Sequence, residues 1–139
     1  QTIHIVIDSY GGCAWTGVAL YWKTKDHEIH THAGHTNGAW SAAALFWMGG
    51  QDDAKTGHGS MVGWHLAYCP WWIECDTTEI DSAFMEVMVD CFGRYQSHKM
   101  WGQMLDAHER HGTDGFLVLR HVRHFGLILT VENPNETMF

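Results

Sequence analysis

Apolar residues alternate from the start of the chain. Ile3, Ile5 and Ile7, with Val6 between them, predict a strand over 2–8 that is covered on both faces near the middle of a sheet. The turn Ser9-Tyr10-Gly11-Gly12 gives way to 16–24, where Val18, Leu20 and Trp22 fall on one face of a second strand. Asp26-His27 marks a turn into a third strand over 28–33, so a three-stranded meander is expected. Asn37 is placed to cap a helix over 38–48 that is apolar all round and therefore buried, stopped by Gly49-Gly50. Residues 51–60 are polar and glycine-rich and predict a loop; 61–68 and 71–75 are strand-like on either side of Pro70. Thr77 or Thr78 caps a helix in which Ile80, Phe84, Val87, Met88 and Cys91 recur at helical spacing, ending near Gly93. A second amphipathic helix runs over 97–111 through Trp101, Met104, Leu105 and His108, closed by 112–115. Two further strands are expected over 116–122 and 127–132, ahead of a frayed tail at 133–139. There are no repeats, linkers or low-complexity tracts.

Composition narrows the class. With 139 residues, 45% of them hydrophobic, and two prolines, the chain has the length of one compact domain, expected over 1–139. No run of about 18 apolar residues exists, so no membrane span or membrane partner is expected. Residues 1–7 lack the basic start and apolar stretch of a signal peptide, which predicts a soluble, cytoplasmic-type protein. The four cysteines, Cys13, Cys69, Cys75 and Cys91, show no C-x-x-C spacing and are expected to be reduced, mostly buried thiols. Eight Lys plus Arg against sixteen Asp plus Glu give a net charge of −8, the reverse of the usual nucleic-acid binder. Arg94, Lys99, Arg110, Arg120 and Arg123 do lie in the last third, and the 12 histidines make the chain less acidic below about pH 6.5.

The ordered series Ile5-Val6-Ile7-Asp8, His32-Ala33-Gly34-His35-Thr36, the alanine-rich helix, Ile73-Glu74-Cys75-Asp76-Thr77 and Leu105-Asp106-Ala107 resembles a ribonuclease H without the basic handle insertion. The resemblance implies an α/β fold with a mixed five-stranded sheet, a central buried helix and further helices. It also implies carboxylates binding two magnesium ions around a scissile phosphate of an RNA/DNA hybrid. Asp8 and Asp76 match two of the family's four metal positions, Glu132 or Glu136 stands near the last, and His124, or His121 beside it, matches the family's mobile histidine. On this basis the catalytic candidates are Asp8, Asp76 and His124, and the metal candidates Asp8, Asp76 and Glu132. The helix position that should carry glutamate falls at Trp40 or Ser41, which cannot replace a carboxylate, and two carboxylates make a weak two-metal site.

His27, His30, His32 and His35 lie within nine residues, and alternation puts His30 and His32 on one strand face. A single strand supplies two well-placed imidazoles, short of the three or four that a zinc site needs, so an exposed polar face is expected first and a metal site second. Gly11-Gly12 follows the first strand but forms no G-x-G-x-x-G or P-loop, which leaves a tight turn. Eight tryptophans against four lysines, twelve histidines and scarce proline, with patterning kept and the catalytic glutamate absent, fit an artificial sequence written onto a natural fold. The leading expectation is therefore an artificial or inactive ribonuclease H-like scaffold with no cofactor. A magnesium-dependent endonuclease acting on RNA/DNA hybrids stands second, and a histidine-based metal-binding module third. An α+β arrangement with a terminal hairpin over 116–132 is the rival fold.

Overall fold

A computed structural model of the chain describes residues 2–51, 61–70, 72–120 and 129–132, with side chains excepted at 120 and 129–132. The element order is β1 (His4–Ile7), α1 (Ala14–Asp26), β2 (His30–Ala33), β3 (Ala39–Trp40), α2 (Ala42–Met48), β4 (Met61–Trp64), α3 (Thr78–Phe92), α4 (Arg94–His111), a 3-10 turn (Gly112–Asp114), β5 (Phe116–Arg120) and β6 (Leu129–Glu132). The α/β class follows as expected. The chain divides into two compact units, Gln1–Trp64 with Val118–Thr130, and His65–Leu117 with Val131–Phe139.

In the first unit the expected meander does not form, because residues 14–26 are helix. The buried positions there are Gly17, Val18, Tyr21 and Thr24. Their spacing of one, four and seven residues is that of one helix face, whereas the period-two set Val18, Leu20 and Trp22 does not share a buried face. The branched and aromatic side chains that suggest a strand are here accommodated in a helix by packing, which overrides propensity. Lys23 and Lys25 sit in its last turn, where cations complement the helix dipole.

α1 is the crossover that lets β1 and β2 run parallel, in the register His4↔His30 to Ile7↔Ala33. In place of a mixed five-stranded sheet, the described residues form a two-stranded sheet, β1-β2, and a four-stranded sheet in the order β3-β4-β5-β6. A parallel bridge, Ser9↔Ala39, connects them, with Ser9 N–H donating to Gly38 O at 2.9 Å and Trp40 N–H to Ser9 O at 3.0 Å. The rival terminal pair survives in part, since β5 and β6 are neighbours in the sheet.

The helix expected over 38–48 begins four residues late. Ala39 and Trp40 pair in parallel with Val62 and Gly63 as β3, and Ser41, at φ 57°, turns the chain into α2. Asn37 caps nothing; its Oδ1 accepts from the Tyr10 hydroxyl at 3.0 Å. α2 is buried nearly all round, as its composition predicts, and Gly49-Gly50 ends it. Trp40, Trp47 and Trp64 are completely enclosed; Trp47 and Trp64 meet edge to face with centroids 6.3 Å apart, and Trp64 Nε1 donates to Met48 Sδ at 3.1 Å. Each such side chain contributes about 2–3 kcal/mol through burial.

In the second unit α3 and α4 fall within a few residues of expectation. Gly93, at φ 83°, makes the turn between them. Phe84 meets Trp101 edge to face at 5.6 Å, and Met88, Met100 and Met104 are fully enclosed. Residues 72–75 form no strand; instead Cys69 and Cys75 are joined by a disulfide with Cα atoms 6.0 Å apart. This corrects the expectation of four thiols, as does the exposure of the free Cys13. The expected loop at 52–60, the segment 121–128 and the tail 133–139 lie outside the described residues.

Close packing of α1 on α2 depends on Gly17, where an added Cβ would lie 2.8 Å from the Ala42 carbonyl oxygen and 3.0 Å from its Cα. Gly12, in contrast, has open space where its Cβ would go. Gly17→Val is therefore expected to cost about 2 kcal/mol or more by forcing two backbones apart, while Gly12→Ala stays at least as stable as the parent. Thermal melts of the two variants measure the difference, and equal melting temperatures would remove this contact as a determinant of the fold.

Candidate functional site

The loop between β1 and α1 is held at several points. Asp8 ends β1, and its Oδ1 accepts from the backbone N–H of Asn37 at 2.6 Å and of Gly38 at 2.9 Å. Gly11 N–H donates to Ser9 Oγ at 3.1 Å. Gly11 itself, at φ 101°, faces the Trp40 carbonyl where any side chain would collide, so glycine is required there. The chain then enters α1 at Cys13, an exposed thiol held below its usual range by hydrogen bonds from the Thr16 backbone and hydroxyl and then the Trp15 backbone.

Beside this loop runs a groove of about 430 Å³. Ile5 and Ile7 of β1, Leu20 of α1 and Phe46 of α2 make its apolar length; Asp8, Ser9, Gly12, Cys13 and Thr16 make its polar end at the start of α1. Among the described residues no Lys or Arg lines it, and Asp8 is its carboxylate. Asp8 and Gly11-Gly12 are the sequence signals at this place; the turn that the glycines predict leads into α1 rather than into a strand, and α1 supplies the groove's second wall.

The residues singled out for nuclease chemistry do not gather in one unit. Asp8 belongs to the first and is engaged by the Asn37 and Gly38 amides. Asp76 belongs to the second, where its Oδ1 accepts from the Thr78 backbone at 2.9 Å and the Thr78 hydroxyl at 2.6 Å; those two bonds hold its carboxyl below the usual range. Asp76 thus anchors the start of α3, a role expected of Thr77 or Thr78. Trp40 occupies the expected glutamate position as a buried core residue. Glu132 ends β6, and His124 lies outside the described residues. Among the described residues no three His, Cys, Asp or Glu side chains form a group able to hold a metal ion.

His30 and His32 do share a strand face, and the register adds His4, which sequence alone did not single out. The His4 ring stacks on that of His30 with centroids 4.8 Å apart and meets that of His32 edge to edge, with centroids 5.2 Å apart and its Nδ1 2.9 Å from His32 Nε2. His27 and His35 stand apart, His27 Nδ1 lying 2.7 Å from the Lys23 carbonyl. In the second unit, a broad open depression is lined by Tyr68, the Cys69–Cys75 disulfide, Ile73, Asp76 and His108. No helix among the described residues is long and apolar enough to cross a membrane.

No protein-family model matches the chain, and no curated protein matches it either.

His65 generates a prediction of its own. Its ring packs against Phe116 at 4.5 Å and Tyr68 at 5.4 Å, and burial, reinforced by His108 and opposed by Asp114, pushes its pKa from 6.5 down to about 4. The folded chain therefore keeps His65 neutral while the unfolded chain takes up a proton. Stability is full above about pH 6.5 and is lost as the pH falls toward 4, by up to about 3 kcal/mol from this group. Denaturant unfolding at pH 7 and pH 4.5 is expected to show that loss, and His65→Phe to reduce it; an unchanged pH dependence in the variant would remove His65 as its source.

Proposed function

We propose that the chain is a small-molecule binding domain whose groove beside β1 takes a mononucleotide-like ligand, a flat ring system bearing a phosphate. The observation that carries this is the position of the groove. It opens at the carboxyl end of β1, the strand from which the chain continues to β2 on one side and bridges to β3 on the other. Open parallel sheets bind ligands outside the carboxyl ends of their strands where neighbouring connections diverge, and mononucleotides occupy this place in the 2-1-3 strand order. The volume lies within the range of small-ligand sites, and the lining is apolar with polar groups at one end, the usual composition of such a site.

The chemistry of the ends supports the same ligand class. Ile5, Ile7, Leu20 and Phe46 offer a surface for a flat ring. The Ser9 hydroxyl, with the Thr16 hydroxyl and the Trp15 and Thr16 amides that also donate to the Cys13 sulfur, offers donors to a phosphate without a formal positive charge, and Asp8 at the same end keeps its Oδ1 on the Asn37 and Gly38 amides. Flavin mononucleotide, which reports binding by its fluorescence, is the first probe, with adenosine monophosphate as competitor. Saturable binding is expected, weakened about three- to tenfold in Thr16→Val by loss of one hydrogen bond and weakened in Phe46→Ala by loss of ring contact. Absence of saturable binding of either nucleotide up to about 1 mM would overturn the proposal.

Toward RNA/DNA hybrids we propose that the chain is an inactive scaffold. Support comes from the local engagement of Asp8 and Asp76, the tryptophan at the expected glutamate position, and the net charge of −8. A labelled hybrid incubated at low salt with magnesium or manganese is expected to stay intact. Cleavage that disappears in Asp8→Asn would instead establish the metal-dependent nuclease.

A further inference from the structure

We propose that His4 and His32 form a two-imidazole chelate for a divalent transition ion of tetragonal preference, nickel(II) or copper(II), on the β1-β2 face that carries His30. The number of protein ligands decides between metals. His4 Nδ1 and His32 Nε2 lie 2.9 Å apart and point at one another along the line of the ring centroids, so each ring turns to bring its lone pair onto an ion about 2.0–2.1 Å from both. Two imidazoles with water in the remaining positions suit the square-planar or octahedral coordination of copper(II) and nickel(II). Zinc sites draw on three or four protein ligands.

The pair is assembled by backbone pairing rather than by chance proximity. β1 and β2 run parallel with His4 opposite His30, and His32 lies two residues further along the same face. His30 stacks on His4 at 4.8 Å and limits how far that ring can swing. Without metal, one imidazole donates its N–H and the other accepts. To bind an ion the donor ring moves its proton to its other nitrogen, so both facing nitrogens present lone pairs and no proton need be released from neutral rings. Water supplies the remaining ligands. His4 is exposed, which gives it room to turn its lone pair toward the ion.

Nickel(II) is the probe of choice, because copper(II) would oxidise the thiols of Cys13 and Cys91, neither of which is in a disulfide. Calorimetric titration of the intact chain is expected to show one nickel ion per chain, bound more tightly than zinc. His4→Ala and His32→Gln should each weaken nickel binding at least about tenfold, the lower end of what even a supporting residue contributes to metal affinity. His27→Ala and His35→Ala should leave it unchanged. Far-ultraviolet circular dichroism confirms that each variant is folded, and His4→Asn replaces His4→Ala if the latter is not. No nickel binding by the parent, parental affinity in the folded His4 and His32 variants, an equal loss in His35→Ala, or zinc binding more tightly than nickel would each overturn the proposal. It stands independently of the groove, since neither histidine lines it.

Discussion

The parallel pairing of β1 with β2 is the constraint on which the first unit depends. Two neighbouring parallel strands cannot be joined by a tight turn, so the residues between them must travel back along the sheet, and α1 is that return. Once α1 lies there, α2 can pack on it only where side chains are absent. Gly17 meets the Ala42 backbone, and Gly49 meets that of Tyr21. The same return fixes the loop at the end of β1, because Gly11 must pass under the Trp40 carbonyl for the chain to enter α1. Groove, loop and core are consequences of one strand pairing.

Asp8 illustrates how a residue can look catalytic and serve as structure. A carboxylate at the carboxyl end of a central strand is well placed for metal chemistry, and equally well placed to hold the loop that crosses beside it. Here the Asn37 and Gly38 amides take up its Oδ1, and those hydrogen bonds set the entry to β3 through which the Ser9–Ala39 bridge joins the two sheets. Charge-assisted hydrogen bonds to amides are about twice as strong as neutral ones, so drawing that oxygen toward a cation would cost contacts the fold uses. Asp76 is committed in the same way to the start of α3.

Much of the second unit was legible because long amphipathic helices announce themselves. Ile80, Phe84, Val87 and Met88 are spaced for one face and are buried as one face. The first unit was less legible for a specific reason. Residues 16–24 mix branched, aromatic and glycine positions so that period two and period 3.6 both find support, and only the partner, α2, selects between them. Trp40 lies outside the helix that the local pattern predicts because its backbone pairs with β4 and Ser9, neighbours distant in sequence. The disulfide was invisible to spacing, since a six-residue separation matches no local signature. His4 joined the histidine cluster through register alone.

The two candidate sites follow from the alternation of one strand. Ile5 and Ile7 line the groove with residues of α1 and α2, while His4, one residue out of phase, stacks on His30 and meets His32 edge to edge. A slip of one residue in the β1-β2 register would exchange the faces, moving histidine toward the helices and isoleucine away from them. The apolar surface that Ile7 buries opposes that slip. Hydrophobic packing on one face therefore positions imidazoles on the other, and the histidines need no interaction of their own to be brought within 2.9 Å. That is how a metal-binding pair can arise on a fold whose core was selected or written for packing alone.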